Sequence, residues 1–262
     1  NPYDSIKIGE IREKRIKHTP AQVKVLEEIK GKGIYLIHGV TGSGKTEVYM
    51  SVIERVIAEG KTAIMLVPEI SLTPQVFEVF KRRFGETVAI LHSGLSAGER
   101  FDEWSRLMSG SAKIAIGARS AIFAPLTNLG VIIIDEEHDG SYVSESNPRY
   151  NTFDVAEFRA KANDSTLILG SATPSIETYY KTQTGEIKLL ELPTRVNGRN
   201  MPKIEIVDML GEIRNGDDGI FSNRLLNDLN ECVNNRKQAM IFLNRRGFTS
   251  FMMCRDCGYV AK

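Results

Sequence analysis

The sequence predicts an α/β fold, a parallel sheet with helices on both faces. Three observations predict it. Short apolar runs of three to five residues alternate with stretches of helical period through most of the chain. Each run is apolar throughout, as in strands buried on both faces. Each ends in a small, polar loop, and ligands of such sheets bind beyond the carboxyl ends of the strands.

The first run is Ile34-Tyr35-Leu36-Ile37, and Gly39-Val40-Thr41-Gly42-Ser43-Gly44-Lys45-Thr46 follows it. That stretch fits the phosphate-binding pattern G-x-x-x-x-G-K-[ST] and makes the fold a P-loop NTPase. Its glycines let the backbone turn tightly and aim several N–H groups at one point. A helix beginning near Gly44, with Val48, Tyr49, Val52, Ile53, Val56 and Ile57 at helical spacing, adds its positive end. Lys45 is placed to reach the outer phosphates of ATP, and the Thr46 hydroxyl to ligate Mg²⁺.

Upstream, Thr19-Pro20-Ala21-Gln22 opens a helix, with Thr19 at the N-cap, Pro20 at the first position and Gln22 closing a capping box. The Gln22 amide, a donor beside an acceptor, equally suits the edge of adenine. The residue types leave both readings open. Residues 1–18 read as a charged, solvated lead-in.

The next runs are residues 63–67, 88–91 and 113–116, the last ending in Gly117-Ala118-Arg119-Ser120. A polar helix before the last of these carries Trp104. The run at 131–134 leads into Asp135-Glu136-Glu137-His138. A strand with Asp at its end can hold Mg²⁺ through water beside the phosphates, and Glu136 can orient and deprotonate the attacking water. A polar, aromatic-bearing loop at 139–153 holds Tyr142, Arg149 and Tyr150. Exposed aromatics beside Arg can stack on unpaired bases, or the loop can tuck onto the core. A helix at 154–162 and a strand at 167–169 end in Gly170-Ser171-Ala172-Thr173-Pro174.

From about 185 the texture changes. Pro193, Asn197, Gly198, Asn200 and Pro202 punctuate a linker. Residues 203–207 alternate like a strand, Ser222 caps a helix with Leu225, Leu226, Leu229 and Val233, and residues 239–243 read as another strand. Cys254-Arg255-Asp256-Cys257 is half of a zinc site; a structural site needs four ligands, and Cys232 reads as a small core residue.

Composition sets the remaining bounds. The 262 residues suit one large α/β domain, or one and part of another. No apolar run approaches the roughly 20 residues needed to span a membrane, and the N-terminus lacks the apolar core of a signal peptide. Three cysteines, two of them in one C-x-x-C, make no disulfide framework, so the protein reads as cytoplasmic. A net charge of +1 neither demands nor excludes nucleic acid.

Taken together, GVTGSGKT, VPEISLTPQ, LHSGLSAGER, IGARSAIFAP, IIIDEEHD, the SY…PRY loop, LGSATPS and FLNRRGF followed by C-x-x-C-G resemble the primosomal protein N′ family of superfamily 2 replication-restart helicases. The resemblance runs from about Thr19 to the end. It implies a 3′→5′ DNA helicase driven by ATP and Mg²⁺ that acts at forked and single-stranded DNA with primosome proteins and single-stranded DNA-binding protein, and away from membranes. It implies that Gln22 contacts adenine. It implies that His138, Ser171 and Thr173 couple hydrolysis to DNA. The loop with Tyr142, Arg149 and Tyr150 resembles one that senses single-stranded DNA, with Arg119 near the strand.

The implied division is a lead-in at 1–18, a RecA-like lobe at 19–190, and the truncated start of a second RecA-like lobe at 191–262. The second part ends where a zinc-binding insertion begins, so Zn²⁺ is expected in the full-length protein, with Cys254 and Cys257 as half its ligands. The family's amino-terminal DNA-binding domains and later motifs are not in this chain, so nucleotide binding without efficient unwinding is expected. Val143-Ser144-Glu145-Ser146 also departs from the basic and amide residues common in that loop. Two other readings remain: another superfamily 2 translocase, RecG-like or a restriction motor subunit, and a non-enzymatic ATP-binding scaffold.

Overall fold

A computed structural model of the protein describes residues 17–68, 74–198, 202–214, 221–242, 252–253 and 260–261. Its centre is a seven-stranded sheet, parallel at every pairing. The strands are β1 (Gly33–Gly39), β2 (Thr62–Leu66), β3 (Val88–Leu91), β4 (Ile114–Gly117), β5 (Leu129–Asp135), β6 (Thr166–Ser171) and β7 (Lys188–Leu192). Their order across the sheet is β3-β4-β2-β5-β6-β1-β7.

Side chains alternate across a strand, so a sheet covered twice needs apolar residues at every position. Ile37, Met65, Ile116, Ile133 and Ile168 pack on one face under α1 (Pro20–Glu28), α2 (Lys45–Ala58) and α3 (Pro74–Phe84). Leu36, Ile64, Ala115, Ile132 and Leu167 pack on the other, with Leu107 of α4 (Ala97–Met108) and Ala156 and Ala160 of α5 (Thr152–Ala162). Helix α6 (Ile176–Gln183) follows β6.

The helices start where the residues dictate. Thr19 Oγ accepts from Gln22 N and Gln22 Oε1 accepts from Thr19 N at 2.8 Å, a complete capping box. Ser96 and Glu99 repeat the device at α4. Arg83 ties α3 to α2 by donating to Glu47 at 2.6 Å and to Glu54 at 2.7 Å.

The strand β7 is not anticipated by the sequence reading, which takes the region after 185 as the approach to a linker. Its Leu190 and Leu192 are buried while Lys188 and Glu191 face solvent, the pattern of a short edge strand beside β1.

The chain divides into two compact units, Asn1–Asn200 and Met201–Lys262. The second has α7 (Met209–Arg214), α8 (Asn223–Asn234) and the short antiparallel pair β8 (Met252–Met253) and β9 (Val260–Ala261). Ser222 caps α8, accepting from Leu225 N at 3.1 Å. Two expected strands are corrected here. Residues 203–207, and the described part of 239–243, have no strand structure. Ile204, Ile206, Met240 and Phe242 are at least 81% exposed. A strand takes its hydrogen bonds from a neighbour, and no pairing joins these segments to another among the described residues. Cys232 is half-buried on a helix that buries no residue, so it is not a core position. Cys254 and Cys257 lie outside the described residues.

Candidate nucleotide-binding and hydrolysis site

The loop 39–46 joins the carboxyl end of β1 to α2, and the tips of β6 and β5 stand beside it because those strands follow β1 toward the centre of the sheet. Lys45 is 8% exposed; its Nζ donates to Gly39 O at 2.9 Å, folding the side chain back across the loop. Gly44 has φ +80°, a left-handed conformation that only glycine takes without cost. A Cβ there would also strike the Gln22 amide. A Cβ on Gly39 would lie 2.6 Å from Ser43 Oγ and 3.2 Å from Lys45 Cγ. The loop is thus a cradle whose inner wall is backbone, which suits a polyphosphate. Val40, Thr41 and Gly42 form its outer rim, and Ser43 is buried beneath it. Thr46, in the first turn of α2, is exposed.

Gln22 is 2% exposed. Besides closing its capping box, its Nε2 donates to Ser43 O and Gly44 O, each at 3.3 Å. The amide fastens α1 to the phosphate loop.

Glu136 Oε1 lies 3.9 Å from Lys45 Nζ, and its Oε2 lies 3.8 Å from His138 Nδ1. Its φ of +45° is uncommon for a residue with a side chain and is the kind of strain that collects at functional sites. Backbone bonds lock the turn: Asp139 N donates to Glu136 O at 2.9 Å, and Glu137 N to Gly170 O at 3.0 Å. Asp135 is gripped from two sides. Tyr49 donates its hydroxyl to Asp135 Oδ1 at 2.9 Å, and Tyr142 donates to the Asp135 carbonyl at 2.7 Å. Burial holds the Asp135 carboxyl above the usual carboxylate range, while the Tyr49 hydrogen bond pulls it the other way. Burial, and then the neighbouring Asp135, raise both tyrosines.

His138, Ser171 and Thr173 meet. His138 Nδ1 and Ser171 Oγ are 2.8 Å apart, and Thr173 Oγ1 is 3.5 Å from His138 Nε2. Ser171 is fully buried and also accepts from Thr173 N at 2.9 Å.

The loop after the acidic tip corrects one expectation. Tyr142 is 4% exposed, and its hydroxyl is spent on the strand tip; it offers no ring to a base. Tyr150 and Arg149 are more open. Arg149 is exposed, and Tyr150 is half-buried, with Phe123 edge-on at 5.0 Å and the Arg119 guanidinium 5.8 Å from its ring centre. Arg119 Nη1 also donates to Val143 O at 2.6 Å. Arg119, Tyr150 and Phe123 form an aromatic and cationic platform at the same sheet edge.

Four contributors escape a reading of the sequence. Tyr49 sits at helical spacing among core residues, and nothing in the spacing tells its hydroxyl from a Phe edge. Gly170 reads as a loop glycine, yet its missing Cβ is what lets Tyr49 reach Asp135. Phe123 lies on a 3-10 turn, Arg119–Phe123, with no periodic signal. Glu137 shares a motif with Glu136 but turns away. It accepts from Ser175 N at 2.7 Å, Ser175 Oγ at 3.1 Å and Thr178 Oγ1 at 2.9 Å, fastening the strand tip to the start of α6. A cavity of about 480 Å³ elsewhere, lined by Lys32, Phe153, Glu157 and Lys181, contains none of these groups.

Among the described residues no cluster of His, Cys, Asp and Glu is arranged to hold a metal by itself, and no helix is long and apolar enough to cross a membrane.

A phosphate cradle, a lysine within reach of a glutamate and a half-buried aspartate two strands away are what a P-loop NTPase fold brings together. The profile of the DEAD/DEAH box helicases matches residues 19–182, and the chain belongs to that family. Within it, the chain is 55% identical over 227 residues to "Replication restart protein PriA" of Bacillus subtilis, and 46% identical over 250 residues to the protein of the same name from Synechocystis sp.. These matches cover 87% and 92% of this chain, and 28% and 30% of those proteins. The chain thus spans under a third of the relatives' length. Among solved structures it is similar to RecG bound to a three-way DNA junction, with a TM-score of 0.50 and 25% identity over 71% of this chain and 25% of that one.

Proposed function

We propose that the chain is the nucleotide-binding part of an ATP-driven 3′→5′ DNA helicase that restarts replication at forked or single-stranded DNA. The observation that carries this reading is the convergence of Lys45, Asp135 and Glu136 at one sheet edge, with Glu136 Oε1 3.9 Å from Lys45 Nζ. The names of the 55% and 46% identical relatives support the replication-restart setting.

The loop 39–46 and Lys45 would hold the phosphates of ATP; Thr46 and Asp135 would hold Mg²⁺. Bound MgATP supplies the phosphoanhydride whose cleavage drives movement. The residues divide the remaining work. Lys45 leaves Gly39 O for a phosphate oxygen. Glu136, a half-buried carboxylate on a strained turn, orients water and takes its proton. Tyr49 and Tyr142 hold Asp135 still. His138, bonded to Ser171 and Thr173, passes the state of the hydrolytic turn to the loop after β6, and Arg119 with Tyr150 and Arg149 meets the DNA strand. Gln22 contacts adenine in this reading by giving up its hold on Ser43 O and Gly44 O.

Residues 19–200 serve as the first lobe and 201–262 as the opening of a second; the boundary moves from 190 because β7 runs to Leu192 in the first sheet. Cys254 and Cys257 supply half of a zinc site, and the pairing partners of 203–207 and 239–243 come from the rest of the second lobe. Primosome proteins and single-stranded DNA-binding protein are the expected partners, in the cytoplasm. Alone, the chain binds nucleotide but turns it over slowly, because an arginine supplied from elsewhere contributes about 10³–10⁵ in rate in related phosphoryl transfer.

The test compares ATP hydrolysis by the full-length protein and its Glu136→Gln variant, with and without forked DNA. Loss of a general base lowers turnover by roughly 10²–10⁴ while nucleotide binding persists. Equal rates would reject the enzyme and leave a nucleotide-binding scaffold.

A further inference from the structure

The same sheet edge carries a second concavity. Beyond the tips of β3 and β4, a cavity of about 270 Å³ is lined by Leu91, His92, Ser93, Arg100, Trp104 and Ser120. Its walls come from the end of β3, the first two turns of α4 and the start of the 3-10 turn that also bears Arg119. Trp104 is the only tryptophan in the chain and keeps 38% of its surface exposed. The packing of α4 does not rest on it, because Leu107 is the residue that helix buries. Arg100 lies one helical turn before Trp104, on the same face. Of the acidic residues on α4, Glu103 accepts from Arg106 and from Ile90 N, each at 2.8 Å, and Glu99 from Ser96 N at 2.9 Å, while Asp102 is exposed.

The geometry points to this cavity as the seat of one unstacked nucleobase of single-stranded DNA, stacked on the Trp104 indole, with Arg100 on the adjoining phosphate. The inference rests on the DNA-motor reading above and adds a contact residue to it. The size fits. Sites for drug-sized ligands run from about 300 to 1,000 Å³, and this one suits a single ring system. The chemistry fits, because proteins hold single strands by aromatic faces interleaved with cations. The placement fits as well. The turn Arg119–Phe123 separates this cavity, at Ser120, from the platform of Phe123 and Tyr150, so aromatic stations lie on either side of one short turn.

A single tryptophan makes the test direct, because a stacked base quenches indole emission. The chain is titrated with oligothymidylate of about 16 nucleotides and with an abasic strand of equal length, while fluorescence anisotropy of a labelled strand reports binding separately. Quenching by oligothymidylate that saturates with the anisotropy, and none from the bound abasic strand, is the expected result. Trp104→Ala should weaken oligothymidylate binding about 5- to 150-fold, the worth of one stacked base, and Trp104→Phe should restore most of it, with ATP binding unchanged in both. DNA that binds the wild-type chain without moving its emission, or that binds Trp104→Ala equally well, overturns this inference and leaves the motor reading standing. A chain that binds no DNA by anisotropy overturns this inference as well, while the motor reading falls only if the full-length comparison above fails.

Discussion

Replacing Gly170 by Ala tests how the acidic strand tip is built. A Cβ at Gly170 would overlap the Tyr49 hydroxyl outright, and would lie 2.8 Å from its ring carbon Cζ and 3.2 Å from Asp135 Oδ1. Tyr49 is fully buried, so it has nowhere to retreat. Overpacking a core of this kind costs about 1–3 kcal/mol. Driving the hydroxyl from Asp135 adds the loss of a hydrogen bond to a charged group, about 1.5–3 kcal/mol. The sum is roughly 3–6 kcal/mol. At about 2–4 °C per kcal/mol for a unit of this size, Tm should fall by roughly 6–24 °C. Calorimetry on Gly170→Ala, Tyr49→Phe and the double variant isolates the contact. With the hydroxyl gone, the added methyl meets only the ring, so the double variant should be more stable than the two losses predict, by about 1–3 kcal/mol. Losses that add within about 0.5 kcal/mol would refute the steric argument.

Asp135→Asn should raise the Tm of the metal-free protein near neutral pH. Burial lifts the folded-state pKa of Asp135 above its unfolded value, so the ionised form weakens the fold, and that penalty fades as pH drops through the folded pKa. A gain that does not shrink in acid would contradict this. Arg83→Ala should destabilise by about 3 kcal/mol, because it strands Glu47, which is 7% exposed; adding Glu47→Gln should recover most of the loss, and denaturant titration of the three proteins decides. Gly44→Ala should cost about 1–2 kcal/mol for its left-handed backbone and displace the Gln22 amide, so calorimetric titration should find weaker nucleotide binding; unchanged affinity would show that the cradle tolerates a side chain.

What the sequence makes legible follows from which interactions are local. The parallel sheet is readable because a strand buried on both faces must be apolar at every position, as residues 131–134 are. The phosphate loop is readable because its chemistry is one contiguous stretch. The grip on Asp135 is not, because Tyr49, Tyr142 and Gly170 meet only after the chain has folded. Tyr142 misleads for the same reason: an aromatic in a polar loop reads as exposed until the strand tip it supports is in place. Residues 203–207 alternate correctly for a strand, yet alternation specifies a face and supplies no neighbour. The adenine reading of Gln22 needs the amide oxygen that its capping role already uses, so the residue type alone leaves both open. In the fold its amide atoms are occupied by Thr19 N, Ser43 O and Gly44 O.

The anchorage of Glu137 uses one amide and two hydroxyls, and none of these donors is an ion. Added salt screens contacts between charges in solvent and strips phosphate backbones from their lysines and arginines; a carboxylate held by neutral donors feels little of either. If the chain carries DNA as proposed, ionic strength should therefore detach it well before it loosens the joint between the Glu136–Glu137 turn and the helix beyond it. That would leave the internal transmission whole while its load is removed.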